Sequence, residues 1–353
     1  MTRLVLLGGG HAHALVLSQL RDFLPKDLAV KLVTPYPVHT YSGMVPGVVA
    51  GHYKVRQAQI DLSRLADKAG VELILGSVRS LDADAKFVLL DDGSSIAYDI
   101  ASLNTGSLPS MQVPGSAEHA LGVKPFEAFM QQWEAHGIAA RRIAVAGAGA
   151  AGIEMAMAIR YRLPAATVVL YSDRPMFSGA LAARLARALE RCGVELRSDT
   201  AVAALEPGPL VVTQRGRESF DLVLWTAGAA PQPWLRQSGL HIDEAGFVLV
   251  DSALRSFSHP DVFAAGDCAT LRDARHPKSG VYAVRHAPVL AANLAKLLQG
   301  KPMQDYDPQS RQLSLISCGG KYAIASRGGW SAEGAWVWRW KDWLDRRWIA
   351  RFR

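Results

Sequence analysis

Two glycine-rich segments of the sequence have the spacing needed to bind a phosphate group. GGGHAH at 8–13 follows the apolar run LVLL at 4–7, and GAGAAGIE at 147–154 follows the apolar run IAVA at 143–146. Glycine lets a tight turn close and lets backbone N–H groups approach a pyrophosphate, which then lies at the positive end of the following helix dipole. Each segment therefore predicts a strand, a turn and a helix that together bind a dinucleotide.

A third segment could complete the first of these sites. VFAAGDCA at 262–269 places Gly266 and Asp267 at the end of another apolar strand, where a carboxylate can accept hydrogen bonds from a sugar or ribityl hydroxyl. A helical pattern follows at 281–298, and its N-terminal dipole would stabilise negative charge on a reduced ring. We expect this segment to return to the first unit.

The two glycine segments belong to a longer internal repeat. The sequence GVEL occurs at 70–73 and again at 193–196. Each copy is followed by a strand-rich stretch and then by a similar strand and loop, DIASLNTGSLP at 99–109 and DLVLWTAGAAP at 221–231. Landmarks that recur in the same order indicate a duplicated structural unit.

The repeat sets the predicted organisation of the chain. We predict an α/β fold of two Rossmann-like dinucleotide-binding domains with three-layer ββα architecture, the second inserted into the first. The first domain would comprise residues 1–111 and 247–304, and the second residues 112–246. A short C-terminal region at 305–353 would follow.

Composition excludes several other classes of protein. A hydrophobic fraction of 49% can form a large core and excludes a disordered chain. The excess of 39 Lys and Arg over 32 Asp and Glu is too modest to indicate nucleic-acid binding. Cys192, Cys268 and Cys318 lie far apart, so neither a zinc site nor a disulfide framework is expected, and a reducing compartment, the cytoplasm, fits best. The apolar stretch at 143–159 is too short and too polar to span a membrane.

The motifs as an ordered set resemble the pyridine nucleotide-disulfide oxidoreductase superfamily of flavoproteins. Besides the two glycine segments, TAGAAP at 226–231 and AAGDCA at 264–269 carry the likeness. TYSGMVPGVVAGHY at 40–53 and WRWKDWLDRRWIARF at 338–352 are similar to the oxidoreductase family that also occurs fused to selenide, water dikinase. Type II NADH dehydrogenases and sulfide:quinone reductases look like more distant relatives.

The resemblance implies that FAD binds in the first domain and NADH or NADPH in the second, so that hydride passes from nicotinamide to flavin. The implied FAD-binding residues are Gly8, Gly9, Gly10, His11, Ala12, Tyr41, Ser42, Gly43, Thr105, Gly106, Gly266, Asp267 and Ala287. Those implied for the nicotinamide cofactor are Gly147, Gly149, Gly152, Glu154 and Gly228. Lys124 and His286 are the implied catalytic residues.

Simpler roles stand beside some of these assignments. Lys124 could be an ordinary surface lysine, and His286 could cap a helix or face solvent. Glu154, near the start of its helix, could interact with the helix dipole alone. His11 could be packed and hydrogen-bonded within the protein.

The sequence departs from the familiar fingerprint in three places. His13 occupies the third glycine position of the first unit, so we expect its helix to sit differently on the strand. Thr34 and Pro35 stand where an acidic residue usually meets the adenosine ribose. In the second unit, Asp173 would favour NADH and Arg174 would favour the 2′-phosphate of NADPH, and the sequence leaves this choice open.

The expected function is FAD-dependent oxidation of NAD(P)H, with electrons passed to a small-molecule acceptor. The resemblance suggests a quinone, although Val281 to His286 replace the glutamines found along this helix in type II NADH dehydrogenases. The alternatives are a sulfide:quinone-type oxidoreductase, for which Cys318 has no evident cysteine partner, and a flavin-binding redox sensor without turnover.

The C-terminal tail is unusual in composition. Six of the nine tryptophans lie within residues 330–353, interleaved with arginines and lysines. This composition is typical of a peripheral anchor at 336–353 on the cytoplasmic face of an anionic membrane. However, the apolar residues fit a helical face imperfectly and alternate like a strand over 336–340, so packing on the FAD domain or in a homodimer is at least as strong an alternative.

Overall fold

The computed structural model describes residues 2–20, 28–174, 177–274, 276–309 and 312–353. The helices within these ranges are α1 (His11–Gln19), α2 (Val45–Val49), α3 (Leu62–Ala69), α4 (Ser116–His119), α5 (Phe126–Ala135), α6 (Ala150–Arg162), α7 (Gly179–Cys192), α8 (Gly280–Leu298) and α9 (Ala335–Ile349).

The strands are β1 (Thr2–Leu7), β2 (Leu28–Thr34), β3 (Val38–Thr40), β4 (Gln59–Asp61), β5 (Glu72–Leu75), β6 (Val78–Asp82), β7 (Phe87–Leu90), β8 (Ser95–Ala97), β9 (Ile100–Leu103), β10 (Leu121–Gly122), β11 (Arg142–Ala146), β12 (Thr167–Tyr171), β13 (Val194–Arg197), β14 (Val202–Glu206), β15 (Leu210–Thr213), β16 (Gly216–Ser219), β17 (Leu222–Trp225), β18 (Val248–Val250), β19 (Val262–Ala264), β20 (Ala269–Leu271), β21 (Ser314–Ser317), β22 (Ala323–Arg327) and β23 (Trp330–Gly334).

Two five-stranded parallel sheets form the framework. The first has the order β19-β9-β1-β2-β5, and the second has the order β10-β17-β11-β12-β13. The central strands are apolar along their length because helices cover the sheets. In β1, for example, Leu4, Val5, Leu6 and Leu7 are all buried. Strands that alternate with helices in this way produce the right-handed crossovers of a Rossmann-like unit.

Each parallel sheet carries an antiparallel addition of the same kind. Strands β6, β7 and β8 form a three-stranded sheet between β5 and β9, and β14, β15 and β16 form another between β13 and β17. These are the strand-rich stretches that follow the two GVEL sequences. The duplication predicted from the sequence is thus visible in the topology.

The chain returns to the first sheet after completing the second, because β19 pairs in parallel with β9. The predicted α/β class, with two Rossmann-like units and one inserted in the other, is confirmed. The residue boundaries of the domains stay a prediction.

The C-terminal region contacts both units. The antiparallel sheet of β21, β22 and β23 contributes Ile316 and Ile324 to the core of the second unit, and Cys318, just after β21, joins the same core. Beyond it, α9 is a helix and not the alternating strand that its tryptophans could have formed, and Trp348 and Phe352 enter the core of the first unit. Within the described residues, no helix meets the length and apolarity that a membrane span requires.

Candidate functional site

The first glycine turn connects β1 to α1 and requires glycine at its start. Gly8 has a φ of 90°, and a Cβ placed there would lie 2.6 Å from the carbonyl oxygen of Asn104. A Cβ at Gly10 would lie 2.3 Å from Asn104 Oδ1. Both glycines are therefore fixed by the close approach of Asn104, which follows β9.

Asn104 is a residue of this site that the sequence reasoning missed. Its Oδ1 accepts the N–H groups of Ala12 at 3.0 Å and His13 at 3.3 Å, in the first turn of α1, and its Nδ2 donates to Ala265 O at 2.6 Å. One side chain thus joins the glycine turn to the strand end before Gly266. The repeat offered a signal, because Asn104 of NTG aligns with Thr226 of TAG.

His13 stands at the third glycine position, and its side chain is held there by two hydrogen bonds. Its ring is fully buried, with Nδ1 at 2.6 Å from Gly8 O and Nε2 at 2.8 Å from Ser102 Oγ. The carbonyl can only accept, so Nδ1 carries the proton and Nε2 accepts from the serine hydroxyl. Burial lowers the pKa of His13 to about 4, which keeps the ring neutral.

The remaining residues of the first turn face the loop after β2. His11 Nδ1 lies 3.1 Å from His39 Nε2, and its ring meets Tyr41 edge-on. Burial lowers the pKa of His11 well below its usual value. A Cβ at Gly9 would lie 2.2 Å from Leu62 Cδ1 and 3.1 Å from Thr34 Oγ1. The Thr34 hydroxyl donates to Tyr36 O at 3.3 Å, so it points back into its own loop.

The second glycine turn connects β11 to α6. Unlike the first turn, it has a glycine at the third fingerprint position, Gly152, which lets the helix pack closely on the turn. Gly147 has a φ of 104°, and a Cβ at Gly152 would lie only 1.8 Å from Gly147 O. Thr226 Oγ1 donates to that same carbonyl at 2.8 Å. Gly149 is the N-cap residue and supplies no side chain, so the first N–H groups of α6 can bind a ligand. Gly228 follows β17 with a φ of 68°.

Glu154 projects from α6 toward the C-terminal region. Its Oε1 accepts the backbone N–H of Ser317 at 2.8 Å, and burial raises its pKa. Lys341 and Asp345 of α9 are close enough to affect that pKa through their charges. The helix-dipole explanation of Glu154 is therefore incomplete, because the carboxyl group has specific partners.

Helix α9 also covers the loop that contains Tyr41, Ser42 and Gly43. Lys341 Nζ donates to Gly43 O at 2.6 Å and to Asp345 Oδ2 at 2.7 Å. Lys341 and Asp345 are buried, and no sequence pattern indicated that this i,i+4 pair would meet a loop nearly three hundred residues earlier. Ser42 lies beside the start of α8, because a Cβ on Gly280, the first residue of that helix, would be 2.7 Å from Ser42 Oγ.

Asp267 and Lys124, predicted separately, form an ion pair. Lys124 Nζ lies 2.7 Å from Asp267 Oδ2 and 3.0 Å from Ser107 Oγ, and Ser107 donates to the same carboxylate at 3.1 Å. Lys124 follows β10 of the second sheet, whereas Asp267 follows β19 of the first. The side chain of Lys124 is 30% exposed, so it is neither a free surface lysine nor fully enclosed.

His286 lies inside α8 with no exposed surface, and Ala287 beside it is buried as well. The Nδ1 atom of His286 accepts the backbone N–H of Gly266 at 3.0 Å. Gly266 itself has a φ of 75°, and a Cβ there would lie 2.9 Å from Asn104 Nδ2. Thr105 and Gly106, with a φ of 69° at the glycine, follow Asn104 at the end of β9.

The donor set at the first turn fits a ligand with phosphate and hydroxyl groups. His11 Nε2 and Ser279 Oγ are buried without a hydrogen-bond partner among the described residues. Buried polar atoms are almost always paired in proteins, so such atoms mark places where a ligand or water belongs. Together with the N-terminus of α1 and the Asp267 carboxylate, they fit the phosphate and sugar groups of a dinucleotide such as FAD.

The structure places two of the three cysteines, Cys192 and Cys318, close together, which the sequence did not predict. Cys268 is buried, with Sγ 3.3 Å from Ala265 O. Cys192 Sγ lies 3.5 Å from Cys318 O, so the chain brings together two cysteines that the sequence left without partners. Burial raises the pKa of Cys318 to about 12, so its thiol stays protonated at neutral pH.

Comparison with known proteins agrees with this geometry. Residues 2–287 match the family described as pyridine nucleotide-disulphide oxidoreductase. An NADH dehydrogenase-like protein of Mycobacterium tuberculosis is 32% identical over 305 residues, covering 77% of this chain and 74% of that protein. Demethylphylloquinone reductase of Synechocystis is 26% identical, covering 89% and 84%.

A solved structure supports the fold. The sulfide:quinone oxidoreductase of Aquifex aeolicus superposes with a TM-score of 0.82 over 100% of this chain and 92% of that one, at 17% identity. The predicted superfamily is confirmed, because the family match alone extends over most of the chain. The chain therefore belongs to the pyridine nucleotide-disulphide oxidoreductase family and is an FAD-dependent oxidoreductase of NADH or NADPH.

Proposed function

We propose that the protein oxidises NADH or NADPH through FAD and reduces a quinone. The observation that carries the proposal is the pair of glycine turns, each beginning a helix after a central parallel strand. The ion pair between Lys124 and Asp267 joins the two units beside the first turn. Two dinucleotides held by one chain can place their reactive rings together, which makes hydride transfer effectively unimolecular.

The residues predicted from the sequence would divide between the two cofactors. The backbone N–H groups of Gly9, Gly10 and His11 at the N-terminus of α1 would hold the pyrophosphate of FAD, since those of Ala12 and His13 are bound by Asn104. Asp267 would accept a ribityl hydroxyl. Gly147, Gly149 and the start of α6 would hold the pyrophosphate of NAD(P)H. When bound, FAD supplies the two-electron acceptor for the hydride and the donor for the final electron acceptor. Lys124 would hold Asp267 in place between the units.

Quinone reduction consumes protons as well as electrons, and a buried carboxyl cluster could supply one. Two carboxyl groups, Glu154 and Asp345, are buried beside a single ammonium group, that of Lys341. Burial raises the pKa of both carboxyls, and one proton between them would leave the cluster neutral. This cluster adjoins Gly43, in the loop implied to contact the flavin ring.

The test is a two-stage anaerobic experiment. The purified FAD-loaded protein should lose its yellow colour within seconds when NADH or NADPH is added, and a soluble quinone should then restore it. Gly149→Val, which blocks the start of α6, should keep the flavin but no longer bleach. A wild-type flavin that neither nicotinamide bleaches would contradict the proposal and favour the redox sensor.

The sulfide:quinone alternative is distinguished in the same cuvette. It would require sulfide alone to bleach the flavin, with cysteine thiolates as the attacking groups. The high pKa of Cys318 and the burial of Cys268 do not favour thiolate chemistry at these positions. The expected result is therefore no bleaching by sulfide.

We also propose that the outer face of α9 contacts an anionic membrane, where a lipophilic quinone would be found. Trp336 and Trp343 on this face are 49% and 52% exposed. Its other exposed side chains include Arg339, Arg346 and Arg347, and Arg351 is exposed just beyond the end of the helix. The carboxylates of the helix are held in ion pairs, Asp345 with Lys341 and Asp342 with Arg346. An exposed face of tryptophan and arginine suits the headgroup region of anionic lipid.

Vesicle flotation tests this membrane contact. The protein should float with vesicles containing phosphatidylglycerol and not with pure phosphatidylcholine, and Trp336→Ala/Trp343→Ala should abolish flotation. Leu75→Ala is the matched control, because Leu75 is an exposed apolar residue of β5, in the first sheet. Concentration-dependent sedimentation without flotation would instead identify this face as a homodimer interface.

A further inference from the structure

Two histidines form a hydrogen-bonded chain behind the Gly266–Asp267 turn. His286 Nδ1 accepts the N–H of Gly266 at 3.0 Å, and its Nε2 lies 3.2 Å from His276 Nε2. His276 Nδ1 in turn lies 3.1 Å from Pro277 O. The chain thus runs from a buried turn of the first unit to the loop that precedes α8.

The positions of the protons follow from the partners. A backbone N–H can only donate, so His286 Nδ1 must be bare, and in a neutral ring the proton is on Nε2. That proton is donated to His276 Nε2, which leaves the proton of His276 on Nδ1, where it is donated to Pro277 O. Each donor in the chain therefore has an acceptor, and a single arrangement satisfies all three bonds.

The surroundings hold both rings in place and keep them neutral. Tyr282 stacks on His276 with 4.0 Å between ring centroids, and Tyr306 meets His286 edge-on at 4.6 Å. Burial, aided by the charge of Lys278, lowers the pKa of His286 to about 3. His286 is thus unsuited to exchange protons with a substrate, since it is enclosed and both ring nitrogens are engaged.

We propose that His286 is a positioning residue of the flavin pocket, which fixes the Gly266–Asp267 turn through the Gly266 N–H group. The inference rests on the proposed function, and it assigns His286 a role different from direct catalysis. Gly266 adopts a left-handed conformation between Asn104 and Ala283, so its peptide has little freedom once the N–H is bound. Asp267, the next residue, is thereby presented to Lys124 and to the ribityl chain of FAD.

The experiment compares three variants that differ in where they place an acceptor. Asn places its Oδ1 where His carries Nδ1, Gln places its amide where His carries Nε2, and Leu has no acceptor. His286→Leu should weaken FAD binding to the apoprotein by about tenfold or more, because a buried N–H loses its partner. His286→Asn should restore most of the affinity, and His286→Gln should not. The matched control, Tyr306→Phe, should bind FAD like the wild type.

Two measurements separate positioning from a general loss of packing. The midpoint potential of bound FAD should shift in the Leu and Gln variants and return in the Asn variant. Ring ¹⁵N spectra of the wild type should show His286 with bare Nδ1 and protonated Nε2 between about pH 5 and pH 9. Equal FAD affinity and potential in all three variants, or a protonated Nδ1, would overturn the inference. A wild-type protein that binds no FAD would instead overturn the proposed function.

Discussion

Lys341 and Asp345 form an ion pair one turn apart on α9, with 2.7 Å between Nζ and Oδ2 and side chains only 10% and 8% exposed. Although burial acts in the opposite direction, Asp345 and then Glu154 raise the pKa of Lys341. The ammonium group therefore interacts favourably with both buried carboxyls.

Removal of the lysine should consequently be costly. Lys341→Met leaves buried carboxyl groups without compensation, and the free energy of unfolding should fall by about 3–5 kcal/mol, measured in urea. Lys341→Met/Asp345→Leu should recover much of this loss. Arg346→Met, which breaks the exposed pair with Asp342, is the control and should cost less than about 1 kcal/mol. Equal losses in the two single variants would contradict this account.

Asn104 should matter both to stability and to FAD. Asn104→Leu removes the acceptor for the N–H groups of Ala12 and His13 and should lower the free energy of unfolding by about 1–2 kcal/mol. It should also weaken FAD binding, because the turn between Gly8 and Gly10 is shaped around this side chain. Thr226→Ser, at the equivalent position of the second unit, keeps its hydroxyl and should leave FAD titration unchanged.

Replacing His13, at the third fingerprint position, with the glycine that is usual there should destabilise the protein. His13→Gly removes a buried ring and leaves Gly8 O and Ser102 Oγ without their partner, so the protein should lose about 2 kcal/mol or more. Ser102→Ala removes one of these bonds and should cost less. An unchanged midpoint of thermal unfolding in His13→Gly would show that the helix can move onto the strand as α6 does at Gly152.

The preference for NADH or NADPH should depend on two residues that closely follow β12 in the predicted ribose site, Asp173 and Arg174. Asp173 and Arg174 are mostly exposed, with 3.7 Å between Arg174 Nε and Asp173 Oδ2, so either side chain can reorient toward an adenosine ribose. Asp173→Ser should lower KM for NADPH by removing repulsion of the 2′-phosphate, and Arg174→Ser should raise it. Steady-state kinetics with both cofactors measures this. A ratio of kcat/KM values that neither change alters would place the ribose elsewhere.

Stability should fall in mild acid. Burial lowers the pKa of His13 to about 4 and that of His286 to about 3, so between those values and about 6.5 the unfolded chain binds more protons than the folded one. The free energy of unfolding therefore decreases as pH falls through this window, by up to about 1.4 kcal/mol per pH unit for each ring. The raised pKa values of Glu154 and Asp345 act with opposite sign.

The contribution of one ring can be isolated by substitution. His286→Asn should have a shallower dependence of unfolding free energy on pH between about 6.5 and 4.5 than the wild type. His241→Asn, at an exposed position, is the control and should keep the wild-type slope. Parallel curves for all three proteins would refute the assignment of this acid sensitivity to His286.

The sequence could predict the parts of the fold that repeat and that need glycine. Both turns, the α/β class and the return of the chain at Gly266 follow from local patterns, since glycine spacing and apolar runs express backbone requirements directly. The pair of Lys341 with Gly43 could not be predicted, because its partners are nearly three hundred residues apart and an i,i+4 pair looks the same on any exposed helix. His13 shows an intermediate case, since the missing glycine was evident but its hydrogen bonds to Gly8 and Ser102 were not.

The ion pair of Lys124 with Asp267 has a consequence for the chain as a whole. Its cation follows a strand of one sheet, and its anion follows a strand of the other. A hinge movement that separates the two sheets at this point would have to break the ion pair. Excising residues 112–246 to obtain a minimal flavin carrier would likewise remove Lys124 and leave Asp267 with Ser107 as its remaining side-chain partner among the described residues, so the shortened chain should hold this turn less firmly than the whole chain does.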